Sequence, residues 1–364
     1  MKPTLLALNE STKVEQLPRR NTDYKSNMIK IWGYNNLDWT GLQKYILVFT
    51  QMDDPEFDQI APGLLSIGIN YLRVNSENFL NNFRMKLTFK NKKMVGTFSN
   101  EIESVNLQQV SGIWFRHFSL DNIVWPKSVD KVSRSYIKEQ WETLFETLNH
   151  ADTWIISPFE MTKKLPKPVQ LGIAQQIGFK IPPTIITNDN AWLDTLKLPL
   201  FLKAVRNHSI IVNSDRLKKV YGKTIYSPKS IKRGKMLLTP SIAQKYYKHN
   251  SITEVRVTAF GDNLIADQYV NVESDDWHNQ GINGVEIKAY ELPNNVEDMV
   301  KKVLAKAKVS IATVDLFQSN GYWYFLEINS VGDWKWLENK VKQPFSKSCL
   351  NYLKKGVFYE QAKD

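Results

Sequence analysis

The sequence predicts an α/β (α+β) protein of more than one domain, and three observations carry that reading. A strand, a helix and a strand follow one another over "YILVFT", "FDQIAPGLLSIG" and "INYLRVN", the order of a βαβ unit. The segment "TEVRVTAFGDNLIADQYVNVE" alternates about a turn at "FGDN", as a hairpin does. With 364 residues and 42% hydrophobic content, the chain can bury two or three cores.

Residues 1–44 are polar, with Pro3, Pro18 and the mixed-charge "LPRRNTDYKS", and read as an N-terminal extension of uncertain order. The first βαβ unit has no G-x-G-x-x-G turn, so it is not a dinucleotide-binding unit. "SGIWFRHF" reads as a strand ending in Arg116 and His117. In "SYIKEQWETLFETLNH", Ile137, Trp141, Leu144, Phe145 and Leu148 fall on one helical face. Pro166 and Pro168 open a further helix that Gly178 closes, and Pro182 and Pro183 force an extended chain after it. "LPLFLKAV" is a buried strand carrying a lone lysine, Lys203. "NVEDMVKKVLAKAK" is a helix before the two last strands.

Composition narrows the partners. Lys and Arg number 48 against 37 Asp and Glu, a formal charge of +11, which favours anionic partners even where much of it is solvated surface. Eight basic and no acidic residues lie between Arg216 and Lys235. That run reads as a mobile loop able to close over phosphates, within a stretch 206–236 that nucleotide would order. No apolar run reaches about 18 residues, so no membrane span is expected, and "MKPTLLALNES" is too weakly apolar for a signal peptide. The expectation is a cytoplasmic protein. Cys349 alone excludes an internal disulfide or a Cys-based zinc site. The histidines at 117, 150, 208, 249 and 278 show no ligand spacing. "YGKT" is no P-loop, because Leu217 stands where its first glycine belongs. Without a stacking motif or recognition helix, nucleic acid is not expected.

The last two strands carry the chemistry. Asp315 interrupts the apolar run "SIATVDLF", and Glu327 and Asn329 share one face of "YFLEIN" because side chains alternate. If Ser319, Asn320 and Gly321 form a three-residue loop, Glu327 is the diagonal neighbour of Asp315, roughly 7–8 Å away. A two-residue Asn-Gly turn would put the two acids on opposite faces, unless a bulge intervenes. Two carboxylates and an amide oxygen on one face make a ligand set for Mg²⁺.

At these residues the chain resembles the ATP-grasp ligases, and within them the ribosomal peptide maturases that make graspetides such as microviridins. "ILVFT" with "DDPEFD", "IWFRHF", "KPVQLGIAQQIGFKIPPTIITND", "TEVRVTAFGDNLIA" and "FLEINSVGDWKWLE" match in order over about residues 45–340. The resemblance implies an ATP-grasp fold: an N-terminal pre-grasp α/β domain over 45–128, a central domain over 129–238 with the basic loop, and a C-terminal grasp domain over 239–364. It implies ATP and Mg²⁺, with Lys167 and Lys203 on the phosphates. The backbone of Gln244, Lys245, Tyr246 and Tyr247 would read adenine above Leu326. Asp315, Glu327 and Asn329 would bind the metal, and Arg256 would contact the transferred phosphate with Glu254 beside it. The substrate implied is a ribosomal precursor peptide, leader plus acidic core. Its Asp or Glu side chains would be activated as acyl phosphates and joined to Ser or Thr (ester) or Lys (amide). A homodimer is compatible with the same resemblance. Three features depart from the pattern: Ser330 and Val331 replace Pro-Asn, His278 replaces an arginine in "DDWH", and residues 1–44 have no counterpart. Two other readings stand beside this one: a carboxylate–amine ligase acting on amino acids or a protein tail, and a nucleotide- or peptide-binding module without turnover.

Overall fold

A computed structural model describes residues 43–163, 165–189, 198–205, 209–213, 216–219, 222–227, 238–270 and 285–358, within a compact unit that begins at Gln43. The expected extension and His278 lie outside the described residues. Among the described residues, no helix is long and apolar enough to cross a membrane.

The chain opens on a parallel sheet. Its strands are β1 (Lys44–Thr50), β2 (Ile69–Asn75), β6 (Val110–Phe115) and β7 (Trp154–Ser157), in the order β2-β1-β6-β7. Helix α1 (Pro55–Ser66) crosses from β1 to β2. Asp54 caps it by accepting from the Phe57 amide at 3.1 Å, and Pro55 is set for its first turn. Both faces of the sheet are covered, so β1 from Tyr45 on and the whole of β6 are buried rather than alternating. One face meets Phe57, Ile60 and Leu64 of α1 with Phe345 and Leu353 of the final helix. The other meets Phe145, at the end of α2 (Lys131–Thr147), and Leu148. Because α2 packs on this sheet and β7 extends it, the first layer continues past the expected boundary at residue 128.

Between β2 and β6 lies an antiparallel meander the sequence reading missed: β3 (Arg84–Lys90), β4 (Lys93–Ser99) and β5 (Ser104–Asn106). Asn91 and Lys92, at φ of 51° and 63°, make its first turn, the two-residue geometry that suits strand twist.

A second, antiparallel sheet runs β12-β9-β13-β8. Its members are β8 (Thr184–Thr187), β9 (Leu200–Ala204), β12 (Lys223–Ile225) and β13 (Ser241–Lys245), so the central layer runs beyond residue 238. Beside it stands a hairpin, β10 (Ser209–Asn213) with β11 (Arg216–Lys219). The basic run is thus strand, not loop, at 216–219 and 223–225. Backbone pairing is indifferent to lysine side chains, and "SIIVN" in β10 has strong β propensity. The remainder of 206–236 lies outside the described residues, apart from Gly222, Tyr226 and Ser227.

The third sheet, antiparallel and five-stranded, has the order β16-β15-β14-β17-β18. It comprises β14 (Thr253–Phe260), β15 (Asn263–Val270), β16 (Glu286–Tyr290), β17 (Ile311–Ser319) and β18 (Tyr322–Asn329). Val255, Val257, Val314, Leu316, Phe325 and Ile328 turn one face toward α3 (Lys167–Ile177) and α4 (Asn294–Ala307), which supply Leu171, Ala174, Val300 and Val303. Alternation leaves the opposite face to the polar residues. Helices α5 (Lys335–Val341) and α6 (Phe345–Phe358) are the last described elements.

Candidate active site

The turn joining β17 to β18 is the two-residue Asn320-Gly321, with φ of 50° and 76°, and Ser319 pairs with Tyr322. This corrects the three-residue loop and its diagonal placement. In that register the two acids would fall on opposite faces, but a bulge follows. Leu316 pairs with Phe325 and Asp315 with Glu327, leaving Leu326 as the extra residue. The bulge shifts the parity of β18, and Asp315 faces Glu327 directly.

From that register a charged row follows across four strands. Asp267 on β15, Arg256 on β14, Asp315 on β17 and Glu327 on β18 are successive cross-strand partners. Arg256 holds Asp315 through two bonds, Nε to Oδ1 at 2.7 Å and Nη2 to Oδ2 at 2.9 Å. At the open end of the row, Lys167 Nζ lies 2.9 Å from Glu327 Oε2. Lys167 is the first residue of α3, so the helix that Pro166 and Pro168 start delivers the lysine to the sheet. Asn329 stands one position further on the same face, opposite Thr313. Its Nδ2 lies 3.3 Å from Asp315 and 3.4 Å from Glu327. A cation would instead be met by its Oδ1 after a half-turn of the amide. With that turn, the donors are two carboxylates and one amide oxygen, a hard-oxygen set that fits Mg²⁺.

Electrostatics tighten the arrangement. Burial pushes the Lys203 ammonium down to about 8, partly offset by the Glu327 charge and deepened by Lys167. Burial opposes the charge of Arg256, but Asp315 outweighs it and holds the guanidinium protonated. Burial raises Asp267 to about 6, against the lowering pull of Gln343 and Arg256.

Next along the sheet, Tyr269, Glu254, Phe317 and Tyr324 form a second row. Phe317 and Tyr324 stack at 4.7 Å, and Tyr247 closes on both at 5.0 and 5.3 Å. This aromatic wall was not foreseen beyond Tyr247. Glu254 pairs with His249 at 3.3 Å, also unforeseen. In the expected hinge, Gln244 donates to Thr184 Oγ1 at 2.8 Å. The Lys245 and Tyr246 amides are spent on Pro183 and Pro199 carbonyls.

The strand bearing Glu327 and Asn329 is pinned from outside. Lys180 pairs with its outer edge at Trp323 and Phe325. Gln170 accepts from the Ile328 amide at 2.7 Å and donates to the Ile328 carbonyl at 3.1 Å. Ser330, where the resemblance calls for proline, is buried and donates to the Met161 carbonyl at 2.9 Å.

Residues 45–162 match the MvdD pre-ATP-grasp domain, and residues 199–353 match the RimK-like ATP-grasp domain. None of the curated proteins matches the chain. Among solved structures, the fold is shared with a RiPP-associated ATP-grasp ligase of Chryseobacterium gregarium in complex with ADP and a leader and core peptide. That match has 24% identity over 85% of this chain and 96% of that one, with a TM-score of 0.73. It is shared too with the macrocyclase MdnC of Microcystis aeruginosa bound with its precursor peptide MdnA, at 18% identity over 85% and 99%, TM-score 0.72. A third, the ligase PsnB complexed with a minimal precursor, Mg and ADP, shows 14% identity over 88% and 99%, TM-score 0.65. The chain thus carries an MvdD-type pre-ATP-grasp domain followed by a RimK-like ATP-grasp domain, in a fold shared with these ligases.

Proposed function

We propose that the protein is an ATP- and Mg²⁺-dependent peptide ligase that activates Asp or Glu side chains of a ribosomal precursor peptide and joins them to hydroxyl or amine side chains of the same peptide. The observation that carries this is the facing pair Asp315–Glu327 with Asn329, set between Arg256 and Lys167 on one sheet face. Neighbours of the same fold hold ADP, Mg and precursor peptides, which supports both nucleotide and substrate class.

A carboxylate is inert toward alcohols and amines because oxide is a poor leaving group. Transfer of the γ-phosphoryl group of ATP to a carboxylate oxygen gives an acyl phosphate and ADP. The nucleophile then forms the ester or amide, loses its proton and expels phosphate. Such transfer needs positioning and charge neutralisation. Magnesium held by Asp315, Glu327 and Asn329 would supply charge neutralisation at the phosphates. Lys167 and Lys203 lie where phosphate oxygens would be held, and Arg256 meets the group in flight. The wall of Tyr247, Phe317 and Tyr324 offers a base its apolar surface, and Leu326, the bulge residue of β18, would add to it. Glu254, paired with His249, stands beside Arg256 on the same strand face. This reading places the protein in the cytoplasm, where ATP and precursor meet.

Mass spectrometry of the precursor after incubation with ATP and Mg²⁺ tests the proposal. The peptide should lose one water per cross-link while ADP accumulates, and Glu327→Gln should abolish both without shifting the melting curve appreciably. A gain in mass equal to a second molecule less water would make the protein a general carboxylate–amine ligase. No change in either product would make it a binding module.

A further inference from the structure

Arg256 occupies the middle strand of its sheet and has a carboxylate across the backbone on each side, Asp315 on β17 and Asp267 on β15. Of the two, it bonds Asp315, at 2.7 and 2.9 Å. Asp267 is wholly buried. Its Oδ1 accepts from Gln343 Nε2 at 2.7 Å, and its Oδ2 is buried without a hydrogen-bond partner among the described residues. A buried carboxylate oxygen left unpaired is costly and calls for a reason.

We infer that Asp267 is the second seat of Arg256. The inference rests on the reading of Asp315 as a metal ligand. A divalent cation on Asp315 competes with the guanidinium for the same two oxygens and repels its charge. When the cation takes them, Arg256 turns to the open oxygen of Asp267, one strand away. It then stays on the sheet face beside the transferred phosphate instead of being expelled toward solvent. Gln343, which also donates to the Ala266 carbonyl at 3.1 Å, keeps Asp267 aimed along the row. Asp267 is therefore a positioning residue. It lowers the barrier to loading the metal by giving the displaced arginine a partner.

The test is a double-mutant cycle read in Mn²⁺ affinity, with free Mn²⁺ followed by electron paramagnetic resonance in the presence of ADP. Four proteins are compared: wild type, Asp267→Asn, Arg256→Met and the double variant. With Arg256 present, Asp267→Asn should weaken Mn²⁺ binding about tenfold; in the Arg256→Met background it should change affinity less than about twofold. Asp267→Glu, which restores the charge, should recover most of the loss and guards against a folding defect in the Asn variant. Equal affinity of Asp267→Asn and wild type overturns the inference. So does an equal loss in both backgrounds, which would mean only that one negative charge had been removed from the field. Failure of the wild type itself to bind Mn²⁺ would instead overturn the metal reading on which the inference stands.

Discussion

Arg116 and Arg256 are both buried, both bonded to an aspartate, and built for opposite ends. Arg116 follows β6 and bonds to Asp54 at 2.8 and 3.1 Å, with Glu56 at 3.8 Å. The rings of Trp114 and Trp334 lie 4.8 and 5.0 Å from its guanidinium carbon, within cation–π range. Asp54 is in turn held by Thr50 and by the Phe57 amide. Glu56 accepts from the Lys335 amide, and His117 bonds Asp333 at 2.9 Å. Asp54, Glu56 and His117 lie within metal-ligand reach of one another, but Arg116 already fills the place a cation would take. The result is a closed joint between the first sheet and the segment that follows Asn329. Arg256 has Asp315 and Asp267 on either side, Glu327 beyond and the Trp336 ring at 5.9 Å. Partners that are themselves buried make an arginine structural, even with Arg116 Nη1 left without a hydrogen-bond partner among the described residues. Carboxylates that stay partly exposed, as Asp315 and Glu327 do, leave room for another cation.

The largest expected effect comes from breaking the closed joint. Arg116→Met should cost about 3–5 kcal/mol of unfolding free energy, because Asp54 and Glu56 would stay buried and uncompensated. Arg256→Met should cost only about 1–2 kcal/mol, because Asp315 is partly open to the cleft and can take up water. Urea unfolding of both variants measures the difference. Equal losses would show that the contrast between the two sites is false.

The two aspartates also differ in pH dependence. Burial alone would raise Asp54, but the Arg116 charge and hydrogen bonds from Arg116 and Thr50 bring it down to about 2 from an ordinary 3.8. Its stabilisation is complete above about pH 4 and lost as pH falls toward 2, roughly 2.5 kcal/mol in all. Asp267 runs the other way, since burial raises it to about 6. Between about pH 4 and pH 6 the native state holds a proton that the unfolded chain has released. Stability therefore falls as pH rises, by about 3 kcal/mol. Without metal or nucleotide, the unfolding free energy of wild type relative to Asp267→Asn should decline across that window and level off above it. A flat difference would place Asp267 in an ordinary, solvated environment.

Local patterns made much of this legible. The proline start and glycine stop of α3 gave its position, and alternation about "FGDN" gave the β14–β15 hairpin. Asp315, Glu327 and Asn329 were visible as polar residues in apolar strands. Asp267 has the same signal in "LIADQYV" and was passed over because no motif partner drew attention to it. The bulge at Leu326 was one of two routes that could bring the acids to one face, and nothing in the local pattern chose between them. β3–β5 were hidden by lysines on exposed strand positions. The Arg116 joint joins residues from three places in the sequence, so only tertiary packing reveals it.

Gln170 offers the smallest and most local test of the open site. Its side chain makes strand-like bonds to both backbone groups of Ile328, the residue between Glu327 and Asn329, and a third to the Leu165 carbonyl at 2.6 Å. It thus continues the edge that Lys180 covers at Trp323 and Phe325, and leaves β18 no free edge there. Gln170→Leu removes all three bonds and leaves the Ile328 amide and carbonyl buried without partners. About 1–2 kcal/mol of stability should be lost. Slight movement of β18 should lower kcat several-fold, since catalytic alignment is sensitive to small displacements. The KM for ATP should change less than kcat, because Tyr247, Phe317 and Lys203 lie on other elements. Gln170→Glu keeps an acceptor for the Ile328 amide and should fall between Leu and wild type. If both variants keep full kcat, the placement of Glu327 and Asn329 is fixed by the sheet alone, and the side-chain clasp at Ile328 only adds stability.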